Sequence, residues 1–291
     1  MKFWFVEMKF IRILLISAGV ALILIALTGT ALRLKDRADT KNASLRMTIL
    51  PEARSPGQYT ESRNTSFPVT RPQVYEFTPS AAIRKRATRH WGLYGITPRN
   101  WYTLVPAASS DMPLVILLHG AGRDGLSMIE MWQEVSDRHG VALLAPNSFG
   151  STWPFSAPNP AFLHEMIEDL QTRHTIDPAR IYLFGHSDGA AYAQLLLNRS
   201  QGPWQAAALH AGYLPAESVR APDTPKPYRL YLGDRDHIFP VVTARDAGQA
   251  MARNGHDNSL ILIPGHTHWF YTAGPDISAD AWQWLNAMRG R

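Results

Sequence analysis

The chain contains no cysteine. That absence excludes disulfides, thiolate catalysis, cysteine-ligated zinc and thioether lipid anchors. It leaves the compartment open, because 291 residues suffice for one domain whose core needs no covalent staple. Charge is also sparse, at 18% of residues, and it is unevenly placed. Residues 1–90 carry 15 Lys and Arg against 6 Asp and Glu, whereas 91–291 carry 14 against 18, so the formal net charge of +5 belongs to the amino-terminal third. A nucleic-acid binder places its basic residues on the folded module; the reverse distribution here excludes that class. No segment of about 20–50 residues recurs, which argues against solenoids and propellers.

Long apolar runs are confined to one place. "MKFWFVEMKFIR" leads into "ILLISAGVALILIALTGTAL", about 20 uncharged residues, enough to cross roughly 30 Å of hydrocarbon. Residues 1–32 are therefore expected to form a membrane anchor or signal segment, contacting the bilayer through residues 10–32. Residues 29–31, "GTA", offer the small side chains a signal peptidase reads. Lys2, Lys9 and Arg12 favour a cytoplasmic amino terminus, while Arg33, Lys35, Arg37, Lys41 and Arg46 pull the other way. The expectation is export: a membrane-anchored or secreted chain with its carboxy-terminal bulk outside the cytoplasm, in the periplasm. Residues 33–90, rich in Arg, Thr, Ser and Pro without an apolar period, read as a basic polar tether. "AAIRKRATRHWG" (81–92), which begins at their end, reads as a short basic helix or, in preference, as a solvated charge run.

From Trp91 to the end, short continuous apolar runs alternate with stretches of helical spacing. The runs are "PLVILLH" (113–119), "VALLAP" (141–146), "RIYLF" (180–184), "QAAALH" (205–210), "YRLYLG" (228–233) and "SLILIP" (259–264). Strands buried on both faces look like this. Between them Met128, Met131, Trp132 and Val135, then Phe162, Met166, Ile167 and Leu170, and finally Ile277, Ala281, Leu285 and Met288 recur at helical intervals. "GLYGITPRNWYTLVP" (92–106) reads as early antiparallel strands. Residues 91–291 are thus expected to be one α/β domain, a mostly parallel central sheet with helices on both faces. Ligands of such sheets bind outside the carboxyl ends of the strands, so polar residues just after the apolar runs are the ones to weigh.

"GHSDG" (185–189) sits directly after "RIYLF" and directly before "AAYAQLLLN". It fits Gly-x-Ser-x-Gly in the strand–turn–helix setting that forces a serine hydroxyl outward at a helix's positive end. Ser187 needs a base and a carboxylate, and later strand ends supply them: Asp234 and Asp236 in "GDRDHIFP", His266 and His268 in "PGHTHWF". Spacing alone leaves both choices open. Donors for an oxyanion are the amide of Asp188 and, in "LLHGAGRDG" (117–125), that of Ala121. His-x-His could also be read as a metal pair, but no third and fourth ligands stand out and GHSDG would go unexplained. No metal or cofactor is expected. Trp153, Phe155, Tyr213 and Trp269 follow strand ends and are expected to line the cleft, with Trp153, Tyr213 and Trp269 as substrate-binding residues.

On GHSDG, HGAG, GDRDHIFP and PGHTHWF, residues 90–291 resemble the α/β-hydrolase superfamily, and within it polyhydroxybutyrate depolymerase-like and feruloyl-esterase-like exported esterases. The resemblance implies an α/β-hydrolase fold and a Ser-Asp-His order. In such enzymes the acid stands three residues after the strand-ending glycine, which implies Asp236, and a Pro-Gly-x-x-His-x-Phe-like segment implies His268. It further implies serine-dependent hydrolysis of small-molecule or polymeric esters, of polyhydroxyalkanoate, aryl or short-chain type. A peptidase or thioesterase using the same triad, or a binding module on a hydrolase scaffold, are the alternatives.

Overall fold

The computed structural model describes residues 55–69, 75–94, 97–107, 111–156 and 160–289. The expected membrane segment, 1–32, and the first part of the expected tether lie outside the described residues. No helix among the described residues is long and apolar enough to cross a membrane.

In chain order the strands are β1 (Tyr59–Arg63), β2 (Thr88–Tyr94), β3 (Thr97–Leu104), β4 (Met112–Leu118), β5 (Ala142–Pro146), β6 (Ile176–His186), β7 (Ala206–His210), β8 (Tyr228–Gly233) and β9 (Asn258–Ile263). The α-helices are α1 (Ala81–Arg86), α2 (Gly125–His139), α3 (Ala161–Gln171), α4 (Asp188–Arg199), α5 (Val241–Arg253) and α6 (Gly274–Asn286). The nine strands among the described residues join one sheet in the order β1-β9-β8-β7-β6-β4-β5-β3-β2. Every pairing is parallel except those of β3 with β2 and β5. The fold is the expected α/β-hydrolase type.

The continuous apolar runs are strands because both of their faces are covered. Leu114, Ile116 and Leu118 of β4 pack on one side of the sheet with residues of α3, α4 and α5, while Val115 and Leu117 pack on the other with residues of α1, α2 and α6. Leu230 and Leu232 of β8 face the first layer and Tyr231 the second, by the same period of two. Helix ends follow local chemistry. Asp124 caps α2 by accepting from the Ser127 amide, and Gly140 closes it at φ 65°, a left-handed position that suits glycine.

The tether expected over 33–90 is corrected within its described part. Tyr59–Arg63 pairs along its whole length with β9, residue for residue from Tyr59↔Asn258 to Arg63↔Leu262. It has no apolar period because it is a polar edge strand, held by backbone bonds and by the Arg245–Glu61 ion pair at 2.7 Å. "AAIRKR" is a helix, capped by Ser80 and lying on α2, where Arg86 meets Asp137 at 2.6 Å. Its one apolar anchor, Ile83, is 0% exposed.

That anchor generates a test. Ile83→Ala should cost about 2–4 kcal/mol, a fall in Tm of roughly 5–10 °C. Thermal unfolding of the full chain checks it; an unchanged Tm would mean that 81–86 is a solvated run after all.

Candidate active site

The winding of the sheet reverses between β4 and β6, since β4 connects to β5 on one side and β6 to β7 on the other. The connections leaving β4 and β6 therefore run to helices on opposite faces, α2 and α4, and ligands of such sheets bind at the carboxyl ends of strands placed in this way. Ser187 stands there, one residue beyond β6 and at the amino cap of α4. Its backbone is at φ 54°, ψ −122°, a strained conformation for a side-chain-bearing residue. Two glycines make the turn possible by close approach. A Cβ on Gly185 would lie 2.3 Å from the Gly189 carbonyl oxygen, and one on Gly189 2.0 Å from that of Leu118. The turn is thus packed backbone on backbone against the end of β4.

Three side chains from separate loops meet above this turn. His268 Nε2 lies 2.9 Å from Ser187 Oγ, and His268 Nδ1 lies 2.8 Å from Asp236 Oδ2. A carboxylate only accepts, so Nδ1 carries the proton and Nε2 is left as acceptor for the serine hydroxyl. The other Asp236 oxygen accepts from the amides of Ile238 and Phe239 at 2.8 and 2.9 Å. Asp236 is buried and Ser187 is 9% exposed, so this line of groups is largely withdrawn from water. Phe239 stacks on the His268 ring at 5.8 Å and 13°.

The other residue of each pair has different partners. Asp234 turns to the Gly265 amide at 2.7 Å and clasps the loop that carries the histidines. His266 points away from Ser187, and its Nε2 lies 3.0 Å from His210 Nε2.

Ala121 stands in the loop after β4, and Asp188 directly follows the serine. The Gly120 loop passes close to it: a Cβ on Gly120 would stand 3.1 Å from Ser187 Cβ. Gly120 O accepts from His119 Nδ1 at 2.8 Å and from the Arg123 amide at 3.1 Å. The carbonyl and amide of one peptide point in opposite directions, so this fixes where the Ala121 N–H is aimed. His119 Nε2 in turn accepts from the Ser148 amide at 2.9 Å, which locks its tautomer. Neither the Ala121 nor the Asp188 amide has a protein acceptor among the described residues. The Asp188 carboxylate accepts from Thr152, tying loop 147–156 to the start of α4.

The aromatic residues expected on the cleft wall are placed otherwise. Trp153 is 2% exposed, stacks on Tyr192 at 12°, and donates through Nε1 to His119 O at 2.8 Å. Tyr213 is buried and donates its hydroxyl to Pro240 O at 2.9 Å. Trp269 donates to Thr272 Oγ1 and is covered by Tyr75, with the Arg123 guanidinium over its ring. All three follow a strand end, yet large rings there complete the core beneath the loops. Phe155 likewise packs edge-on against Tyr192. Sequence reasoning missed Phe239, His119 and His186; a residue adjacent to a motif carries no signal of which way its side chain turns. Among the described residues no group of three or more His, Asp or Glu is placed to hold a metal ion.

The fold and the site geometry together define an α/β-hydrolase architecture with a serine, histidine and carboxylate at the switch point. Comparison with known proteins agrees on the architecture. The dienelactone hydrolase family model matches residues 156–288. NocK of Nocardia uniformis subsp. tsuyamanensis, an esterase by name, is 27% identical over 148 residues, which are 46% of this chain and 43% of that protein, so the chain spans well under half of that relative. The crystal structure of esterase PE8 is similar with a TM-score of 0.53 and 24% identity, covering 63% of this chain and 97% of that one. A ferulic acid esterase has a TM-score of 0.54 at 16% identity, covering 70% and 97%. An acylaminoacyl peptidase from Pyrococcus horikoshii has a TM-score of 0.53 at 10% identity, covering 69% and 40%; the fold serves more than one chemistry.

Burial makes the site acid-sensitive in a predictable direction. His119, His186 and His210 are held below the usual imidazole value of 6.5 chiefly by desolvation, and His266 is brought to about 4 by the same cause. The folded chain keeps these rings neutral while the unfolded chain protonates below about 6.5, so stability is lost as pH falls from there towards about 4. Calorimetry should show a Tm at least about 5 °C lower near pH 5 than near pH 7.5. A flat profile would mean that the rings are hydrated.

Proposed function

We propose that the chain hydrolyses carboxylic esters through an acyl-enzyme on Ser187. The observation that carries this reading is the hydrogen-bonded line from Ser187 Oγ through His268 to Asp236, with bonds of 2.9 and 2.8 Å. His268 Nε2 takes the hydroxyl proton as Ser187 attacks the ester carbonyl, and Asp236 holds the ring and stabilises the imidazolium. The amides of Ala121 and Asp188 receive the developing oxyanion. His268 then protonates the departing alcohol, and water repeats the sequence on the acyl-serine. The dienelactone hydrolase match and the esterases among similar proteins support the same reaction class.

The acyl group belongs to an apolar class, of polyhydroxyalkanoate, aryl or short-chain type. Support comes from the segment after Asp236: Phe239 stands against His268, and Ile238 and Val242 are exposed beside it. Exposed apolar side chains next to reacting groups favour contact with an apolar substrate. The catalytic domain is extracytoplasmic in this reading, tethered through residues 10–32, which rests on the length and composition of that run.

Fluorophosphonate should label Ser187, and Ser187→Ala should abolish labelling and lower turnover of p-nitrophenyl esters by about 10³-fold or more. Mass spectrometry and initial rates on a panel of short, long and aromatic esters plus an amide check this. Retention of most activity by the alanine variant would reject the mechanism. Asp236→Asn should lose about 10³-fold, whereas Asp234→Asn should stay within about fivefold; the opposite ranking would transfer the acid role.

A further inference from the structure

Three buried histidines beneath the reacting groups take no part in the chemistry above. His186 ends β6, His210 ends β7, and His266 stands two residues before His268. His186 Nδ1 lies 2.9 Å from His210 Nδ1, and His210 Nε2 lies 3.0 Å from His266 Nε2, which joins the three rings in one chain. All three are buried. Phe270 covers the chain, stacked on His186 at 21° and tilted on His210. The titratable and charged groups facing it are His268, Arg123, Tyr271 and, at the His266 end, Asp236.

A neutral imidazole has one donor and one acceptor nitrogen. Two ring-to-ring bonds in series therefore run in a single direction: when His210 donates to one neighbour it accepts from the other. The chain has two such proton arrangements, and both keep every ring uncharged. Burial opposes a cation at each position.

Main-chain bonds connect this chain to the site. The Ser187 amide donates to His210 O at 2.9 Å, and the Arg235 amide donates to His266 O at 3.0 Å. The segments so tied carry the nucleophile, the acid and the base. We propose that His186, His210 and His266 are positioning residues, an uncharged imidazole chain that holds the ends of β6 and β7 and the loop after β9 in register, so that Ser187 Oγ and His268 Nε2 stay within hydrogen-bond reach. The proposal rests on the functional reading of Ser187, His268 and Asp236. Apolar rings of the same size would fill the space without setting the distance between the three segments, and attack tolerates little misplacement: about 1 Å can cost about 10²-fold.

The test uses two full-chain variants. His210→Phe keeps a ring and removes both bonds; His210→Gln keeps a donor and an acceptor. Phe should lower kcat on a p-nitrophenyl ester by about 10- to 100-fold with KM within about threefold, and Gln should recover at least about threefold of that loss. The downfield proton resonance of the His268–Asp236 hydrogen bond should be present in the wild type and in Ser187→Ala and broadened in the folded Phe variant. This resonance reports geometry without turnover. Should Ser187→Ala keep its activity, the functional reading fails while the resonance still judges the chain. If His210→Phe does not fold, His266→Phe, which breaks only the outer link, carries the same expectation. Wild-type kcat with an unchanged resonance, or equal losses in Phe and Gln, overturns the proposal.

Discussion

The site depends on one steric constraint, the contact of the turn after β6 with the carboxyl end of β4. No side chain fits there, because a Cβ at position 189 would meet the Leu118 carbonyl oxygen at 2.0 Å. The chain can pass only by pressing backbone on backbone, and Ser187 takes its positive φ as a result. The strain is modest, of order 1–3 kcal/mol, and is overcome by the packing of α4, whose residues Ala190, Ala193, Leu195 and Leu196 are fully buried. Stored in the turn, it keeps the hydroxyl directed out of the sheet.

Around that fixed point the remaining groups are set by hydrogen bonds that each use a specific atom. Both Asp236 oxygens are engaged, one by His268 and one by two amides. The His119 ring uses its two nitrogens on Gly120 O and the Ser148 amide, so the loop beside the serine is braced on two sides. Buried polar groups paired in this way specify direction, which apolar contacts do not. The cost is sensitivity to acid, since rings that are neutral only by burial favour unfolding once they protonate in the open chain.

The sheet also reaches further towards the amino terminus than hydropathy suggests. β1 adds itself to the edge at β9 through main-chain bonds with four of its five side chains exposed, and α1 attaches through a single buried isoleucine. Both escape a search for apolar period because backbone pairing and one anchor suffice when the partner surface is already built. The similarity of the chain to esterases and to a peptidase is a similarity of scaffold; which chemistry the scaffold performs is decided by the residues at the switch point.

The alternation of apolar runs and helical spacings, and a Gly-x-Ser-x-Gly between a strand and a helix, are local properties. They were legible because strand burial and turn sterics act over a few neighbouring residues. Six strands of the sheet and the position of Ser187 at a strand end follow from them. Which carboxylate and which histidine face that serine was a different matter. Asp234 and Asp236, or His266 and His268, are two residues apart in loops where side-chain direction depends on what the loop folds against. Only the packed structure turned Asp236 and His268 towards Ser187, sent Trp153 and Tyr213 into the core, and brought three histidines distant in sequence into one hydrogen-bonded chain, because contacts between loops are made by the sheet order and not by chain neighbours.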